Sequence, residues 1–445
     1  MTEYIAIANI FKGPTDGIAS DKDILSGKGV DQIDLYRLVK YLHESKLARK
    51  VEGYTVYAET VNADASASSI KSSRYATDTD FASPVLHQVN SMLLALTHPS
   101  SEGQFLYSKS TSSITPEDIT LRFQLLDPSS HFMEITSSAR SVILAGGTMS
   151  PMSDYTSHLF PLLPKEAVTT LSCGHVIPKD NLIAWDLSSG PTGRSFEFTF
   201  KNRTDMEMVD ELGRALLNIC TVVPDGIVVF FPSYQSLSDI TKRWQEIAKP
   251  GTKSILDRLQ SKKALFRESK EEGVDTILSS YAQAIDTGKG GLLLSVVGGK
   301  MSEGINFSDA LGRCVVIVGL PFPNINSAEW KAKLSYIEST TVRRLTSSPD
   351  NVLTMHEISA KAKDQAREFY ENACMRAVNQ SVGRAIRHKG DFASIVMIDQ
   401  RFGKESIKNK LPGWIKEGLV EGAGKKSFGI LMGRLGAFYR AKDSR

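Results

Sequence analysis

From residue 141 onward the chain alternates two textures. Short apolar, β-branched runs (Ser141–Ala145, Gly226–Phe231, Leu292–Val297, Cys314–Leu320 and Ser394–Ile398) are each followed by a turn containing glycine or serine. Between them, apolar residues recur at helical spacing over 206–222, 234–247, 271–285, 327–339 and 358–386. Strands alternating with helices predict βαβ units and a mostly parallel sheet. Val228, Val229, Phe230 and Phe231 leave no polar position, as a strand covered on both faces requires. Residues 1–140 read differently. Ile33, Leu35, Leu38, Val39 and Leu42 recur at helical spacing, as do Leu86, Val89, Met92, Leu93 and Leu96, around a Ser/Ala/Asp-rich loop at 62–73. The expected fold is therefore α/β, a parallel sheet with flanking helices behind a mainly helical N-terminal part. In such sheets working residues sit on loops at the strands' carboxyl ends, and the candidate residues are expected there.

Composition narrows the class without naming a function. The 445 residues are 41% hydrophobic and 23% charged, enough for two or three domains of an ordinary globular protein. No apolar run approaches the roughly 20 residues of a membrane span, and the first residues lack a basic region followed by an apolar stretch. The expectation is the cytosol or nucleus. A net charge of +3 announces no polyanion partner, so any such site must come from local clusters. Cys173, Cys220, Cys314 and Cys374 are too widely spaced for a zinc or iron–sulfur ligand set and read as free thiols; no metal site is expected.

Four stretches carry chemistry. Gln380-Ser381-Val382-Gly383-Arg384-Ala385-Ile386-Arg387 would place Gln380, Arg384 and Arg387 on one helical face, with Gly383 admitting a close approach. Paired guanidinium groups suit a polyphosphate, because their forks match its oxygens and keep their charge; a solvated basic helix is the plain alternative. Val297 to Asp309 places Gly298, Gly299 and Gly304 among donors and acceptors between two core strands, a loop able to grip a ligand or simply to turn. Ala145 to Pro151 ends another predicted strand, where Thr148 and Ser150 could couple two sites or cap a helix. Ser233, in Phe230-Phe231-Pro232-Ser233-Tyr234, could bond a phosphate or serve as an N-cap.

In this order the four stretches resemble motifs III, IV, V and VI of superfamily 2 helicases, in the wording of the iron–sulfur XPD-like group that includes FANCJ and RTEL. The phrases SCGHVIP at 172–178, GGKMSEGINFSD at 298–309, VGLPFPN at 318–324 and NQSVGRAIRH at 379–388 are similar to the ChlR-type chromosome-cohesion helicases, with a weaker match in LARKVEGY at 47–54. The resemblance implies a RecA-like motor and a 5′-to-3′ DNA helicase of the nucleus, acting in chromosome segregation, replication and repair. It implies ATP, Mg²⁺ and a 4Fe–4S cluster as cofactors, and single-stranded or forked DNA, cohesin and replication-fork factors as partners, with no membrane. By residue, it implies that Gln380, Arg384 and Arg387 face ATP, one arginine acting as the finger. Glu303, Gly304, Asn306 and Gly383 would line the nucleotide cleft. Lys300, Ser302 and Ser233 would lie nearer DNA, and Thr148 and Ser150 would relay between the two. Asn306 stands where most relatives carry Asp; an amide can still bond a ribose hydroxyl.

Other parts of such an enzyme have no counterpart in the sequence. The pattern Gly-x-x-x-x-Gly-Lys-[Ser/Thr] does not occur: Leu419 precedes Gly424 where Gly is required, and Lys426 replaces the hydroxyl. Nor does an Asp-Glu-x-His box or a cysteine cluster. The expected domains are a partial arch domain at 1–138, a closing segment of motor domain 1 with motif III at 139–170, and motor domain 2 at 171–445, from a fragment or truncated gene model. A non-catalytic copy that binds single-stranded DNA or a cohesion partner is the alternative.

Overall fold

The computed structural model describes residues 15–19, 24, 32–54, 57, 85–98, 102–109, 119–174, 177–247, 251–269, 273–347, 352–425 and 427–443. The loop expected at 62–73 and part of the SCGHVIP phrase lie outside them. The chain divides into two compact units, Met1–Glu134 with Asn324–Ser359, and Ile135–Pro323 with Ala360–Arg445.

In the first unit the order is β1 (Asp16–Ala19), α1 (Leu35–Ser45), α2 (Val85–Leu96), β2 (Gly103–Lys109), β3 (Ile119–Leu125) and α3 (Ser129–Ser138). The helices expected from the apolar spacing are α1 and α2. An antiparallel sheet, order β1-β2-β3, was not anticipated; β1 pairs with a segment far along the chain, which local periodicity does not register, while β2 and β3 are consecutive strands that were not recognised. Phe105 and Tyr107 of β2 pack with Ala19 and Ala95 to form its small core. A helix over Ala328–Ser347 belongs to this unit, its Glu329 paired with Arg122 at 2.5 Å and its Ala328 amide donating to Asp16 at 3.0 Å.

The second unit is built on six parallel strands in the order β4-β9-β8-β5-β7-β6. Along the chain these are β4 (Leu182–Leu187), β5 (Gly226–Phe231), β6 (Ala264–Arg267), β7 (Gly291–Val296), β8 (Cys314–Val318) and β9 (Ala393–Ile398). The labelled helices between and after them are α4 (Met206–Val222), α5 (Tyr234–Gln245), α6 (Val274–Asp286), α7 (Lys300–Gly304), α8 (Met355–Val382) and α9 (Phe428–Asp443). Along β5 the side chains alternate between two buried layers. Ile227, Val229 and Phe231 meet Leu212 and Leu216 of α4, Trp244 of α5 and Leu431 and Leu435 of α9. Val228 and Phe230 meet Tyr281 of α6, Phe307, and Met375 and Val378 of α8. Burial on both faces explains the unbroken apolar runs.

Two expectations about strands need correction. Ser141–Ala145 forms no strand among the described residues, and Ile143 is 86% exposed. A β-branched run becomes a strand only beside a partner edge, and none of the described strands pairs with it. Conversely, β4 was missed because Asp186 interrupts its apolar run. That carboxylate is 2% exposed and is tolerated because Lys408 lies 3.1 Å away.

Candidate functional site

Helix α8 delivers motif VI. Thr354 and Glu357 close a reciprocal capping box at its start, the Thr354 amide donating to Glu357 at 2.8 Å and the Glu357 amide to Thr354 Oγ1 at 3.3 Å. Cys374, Met375, Val378 and Val382 then anchor it on the sheet. The helix ends at Val382, so Gln380, Arg384 and Arg387 do not share a helical face as expected. Ala385 and Ile386 are drawn into the core, which turns the backbone at Gly383, and the Arg384 carbonyl accepts the Phe307 amide at 3.3 Å. Gly383 does admit a close approach: a Cβ there would lie 3.1 Å from the Asn379 carbonyl oxygen and 3.4 Å from Thr148 Oγ1. Gln380 is half-buried on the last turn.

Beyond that turn, motifs V and VI are stitched together. Arg387 donates to Asn306 Oδ1 at 2.5 Å, and His388 Nε2 meets Asp309 Oδ1 at 2.9 Å. Asp391, fully buried, pairs with Arg313 at 3.0 Å. Burial and, after it, the Arg384 guanidinium lower the Arg387 pKa from its usual value, so the two positive groups lie within electrostatic reach. Asn306 thus holds the arginine, a role that the sequence did not suggest. These residues lead directly into β8 and β9, where the Ser394 amide donates to the Arg313 carbonyl at 2.8 Å. They occupy the amino ends of the strands, not the carboxyl ends expected. The chain crosses from one end of the sheet to the other through α7 and Phe307.

Motif III packs on the end of α8. Asn379 Nδ2 donates to the Ser150 carbonyl at 3.3 Å. Four residues on, Asp154 accepts from Asn372 at 2.7 Å and from Arg376. Thr148 and Ser150 are thereby held beside Gly383; Asp154, which does the holding, carried no sequence signal beyond a carboxylate near a motif.

At the carboxyl ends of β5 and β7 lie the residues expected near DNA. Ser233 is the N-cap of α5, its hydroxyl accepting from the Ser236 amide at 3.1 Å, so the capping alternative is realised. Lys300 is exposed at the start of α7. Ser302 is 2% exposed and its hydroxyl donates to the Gly299 carbonyl at 3.0 Å. Glu303 and Gly304 end α7; the Glu303 side chain lies outside the described residues. One residue that the sequence did not flag organises this end. Glu268, buried just past β6, accepts from Tyr234 at 2.7 Å, Ser295 Oγ at 2.6 Å, the Val296 amide at 3.0 Å and the Met301 amide at 3.3 Å. Burial, then this bond to Glu268, raises the Tyr234 pKa. A carboxylate closing the phrase Ala264-Leu265-Phe266-Arg267-Glu268 was the only available hint.

The arginine pair fits an anionic phosphate chain. Among the described residues, the carboxylates beside this pair are already engaged, Asp391 with Arg313 and Asp309 with His388. An iron–sulfur cluster does not fit the thiols: burial pushes Cys220 and Cys314 up to about 12 and raises Cys374 as well, while cluster ligands must be thiolates. Cys173 is the exposed one.

Residues 216–418 match the family model of the helicase C-terminal domain. The ATP-dependent DNA helicase CHL1 of Sclerotinia sclerotiorum is 52% identical over 96% of this chain and 52% of its own length. Its counterpart in Aspergillus clavatus is 47% identical over 97% of this chain and 56% of its own. A solved XPD helicase aligns over 73% of this chain and 49% of its own at 18% identity and a TM-score of 0.44. The chain spans about half the length of the curated relatives it matches. Together with the order of motifs III to VI, the family model and the two CHL1 relatives make this chain similar to the C-terminal part of the XPD-like superfamily 2 helicases of the CHL1 or ChlR type.

Proposed function

We propose that this chain supplies the sensor-and-finger half of an ATP-dependent DNA helicase. The observation that carries the reading is Arg387 bonded to the neutral amide of Asn306, with the like charge of Arg384 helping to lower its pKa. A polyphosphate would relieve that repulsion and offer both forks matching oxygens. In such a site the arginines orient and neutralise the transferring phosphate, while a phosphate loop and Mg²⁺ ligands come from elsewhere. Thr148 and Ser150, packed on the end of α8, would sense that event. The exposed apolar run 141–145 suits addition to a second sheet that would carry the phosphate loop. Lys300, at the other end of the sheet beside the start of α5 that Ser233 caps, would face single-stranded DNA. Nuclear location, 5′-to-3′ polarity, work in cohesion and repair, and cohesin or replication-fork partners follow from the ChlR resemblance. The domain reading of a partial arch, a closing segment of motor domain 1 and motor domain 2 belongs to the same proposal.

The test uses the pure chain. It should bind single-stranded DNA weakly, with a salt slope equal to a few phosphates at roughly −0.7 each, and should turn over no ATP. DNA-stimulated hydrolysis that disappears in Arg387→Ala would overturn the division of labour. DNA binding that vanishes on deleting 421–445 but survives Lys300→Ala with Ser233→Ala would favour a basic tail over the motor loops.

A further inference from the structure

The first unit contains a side-chain cluster that the proposed motor function does not use. His98 follows the end of α2, Glu102 immediately precedes β2, and His131 lies in the first turn of α3. One ligand atom from each lies within 4.8 Å of the others. The backbone around them is fixed. The Glu102 carbonyl accepts the Leu126 amide at 2.8 Å and the Asp127 amide at 3.1 Å, and the His98 amide donates to Ala95 at 3.2 Å. Asp127 in turn anchors α3 by accepting the Ser129 amide at 2.9 Å. The His98 ring stacks on Phe123 at 5.5 Å and meets His131 edge-on at 6.0 Å, which sets its plane.

His98 Nδ1 and Glu102 Oε2 are 3.7 Å apart, with side chains 30% and 29% exposed. That separation is too long for a hydrogen bond. It is close to the edge, about 3.3 Å, of a tetrahedron whose metal–ligand bonds are about 2.0–2.1 Å. Among the described residues neither imidazole has a hydrogen-bond partner.

We propose that His98, Glu102 and His131 bind one zinc-class dication, with water completing the coordination, and that the ion clamps the α2–β2 connection to the start of α3. Two imidazoles and one carboxylate suit Zn²⁺ and its borderline neighbours; Mg²⁺ and Ca²⁺ favour oxygen-only sets. The Asp309, His388 and Asp391 group also brings ligand atoms together, but the Arg313 guanidinium already neutralises Asp391 there.

The experiment is a Zn²⁺ titration by calorimetry of the full chain, stripped with chelator and carrying Cys173→Ser to remove the exposed thiol. The expected result is one equivalent of Zn²⁺ bound, no heat from Mg²⁺ or Ca²⁺ at the same concentration, and a Tm that rises with metal. Co²⁺ in place of Zn²⁺ should give visible absorption bands. His131→Gln and Glu102→Gln should each weaken binding by about tenfold or more, while His388→Asn leaves it unchanged. His131 is exposed, so its variant should keep the native circular dichroism. The proposal is overturned by absence of stoichiometric binding, by binding indifferent to both cluster variants, or by binding lost in His388→Asn instead.

Discussion

At the carboxyl ends of β5 and β7, one buried carboxylate gathers two hydroxyls and two amides, so Tyr234, Ser295, Val296 and Met301 are held through Glu268. At the amino ends of β8 and β9 the links run between exposed side chains, Arg387 to Asn306 and His388 to Asp309. The first arrangement resists change, because opening it strands buried donors away from water. The second can exchange partners at little cost, since an exposed neutral amide is readily replaced by a phosphate oxygen. One sheet thus carries a rigid platform at one end and an adaptable pair of cations at the other. The proposed motor role would use both: a fixed rest for a polymer, and groups that respond to whether a γ-phosphate is present.

The largest expected effect falls on the adaptable end. In a protein that also contains the phosphate loop, Arg387→Ala should lower ATP turnover by about 10³ to 10⁵; a near-normal steady-state rate would remove the distinction between the two ends. Next comes the rigid end. Glu268→Ala should cost about 3–5 kcal/mol in urea unfolding, the range for breaking a buried charged network, and Glu268→Gln should also destabilise, because either orientation sets its NH2 against a backbone N–H, that of Val296 or that of Met301. A change below about 1 kcal/mol for Glu268→Ala would show that this end is not so anchored. Asn306→Ala should reduce turnover in the same extended protein by about tenfold, a typical share for one positioning contact, and leave urea stability within about 0.5 kcal/mol as an exposed site. Stability loss without a turnover defect would reverse the roles. Smallest is Ser233→Ala, about 1 kcal/mol from the lost α5 cap, measured by thermal unfolding; DNA affinity falling more than stability would mark Ser233 as a contact residue rather than a cap.

The sheet was legible in the sequence wherever burial erased polar positions. Gly226–Phe231 is bounded as expected, and β7, β8 and β9 differ from expectation by only a few residues. Legibility failed where a strand kept a charge, as at Asp186, where it was a short half-buried edge, as in β6, and where pairing joined distant segments, as in β1 with β2. At the site, spacing brought the right residues into view but gave the wrong geometry. Motif VI continues in sequence as if helical through Arg387, yet the burial of Ala385 and Ile386 unwinds it at Gly383. Tertiary contacts chose the partners: Asn306 for Arg387, Gly299 for Ser302, Asp154 for α8. None of these follows from local periodicity. Glu268 was invisible for the same reason, since a carboxylate after an edge strand looks solvated until the loops that close over it are placed.

The separation of the two ends can be tested on the chain alone by measuring single-stranded DNA affinity, with its salt slope, for Arg384→Ala combined with Arg387→Ala and for Lys300→Ala. The account predicts that the double arginine variant keeps the unaltered affinity and slope, whereas Lys300→Ala binds more weakly and loses about one phosphate's worth of slope, roughly 0.7. If the arginine variant loses affinity and slope while Lys300→Ala keeps both, DNA lies at the amino ends of β8 and β9, and the assignment of the arginine pair to nucleotide is contradicted.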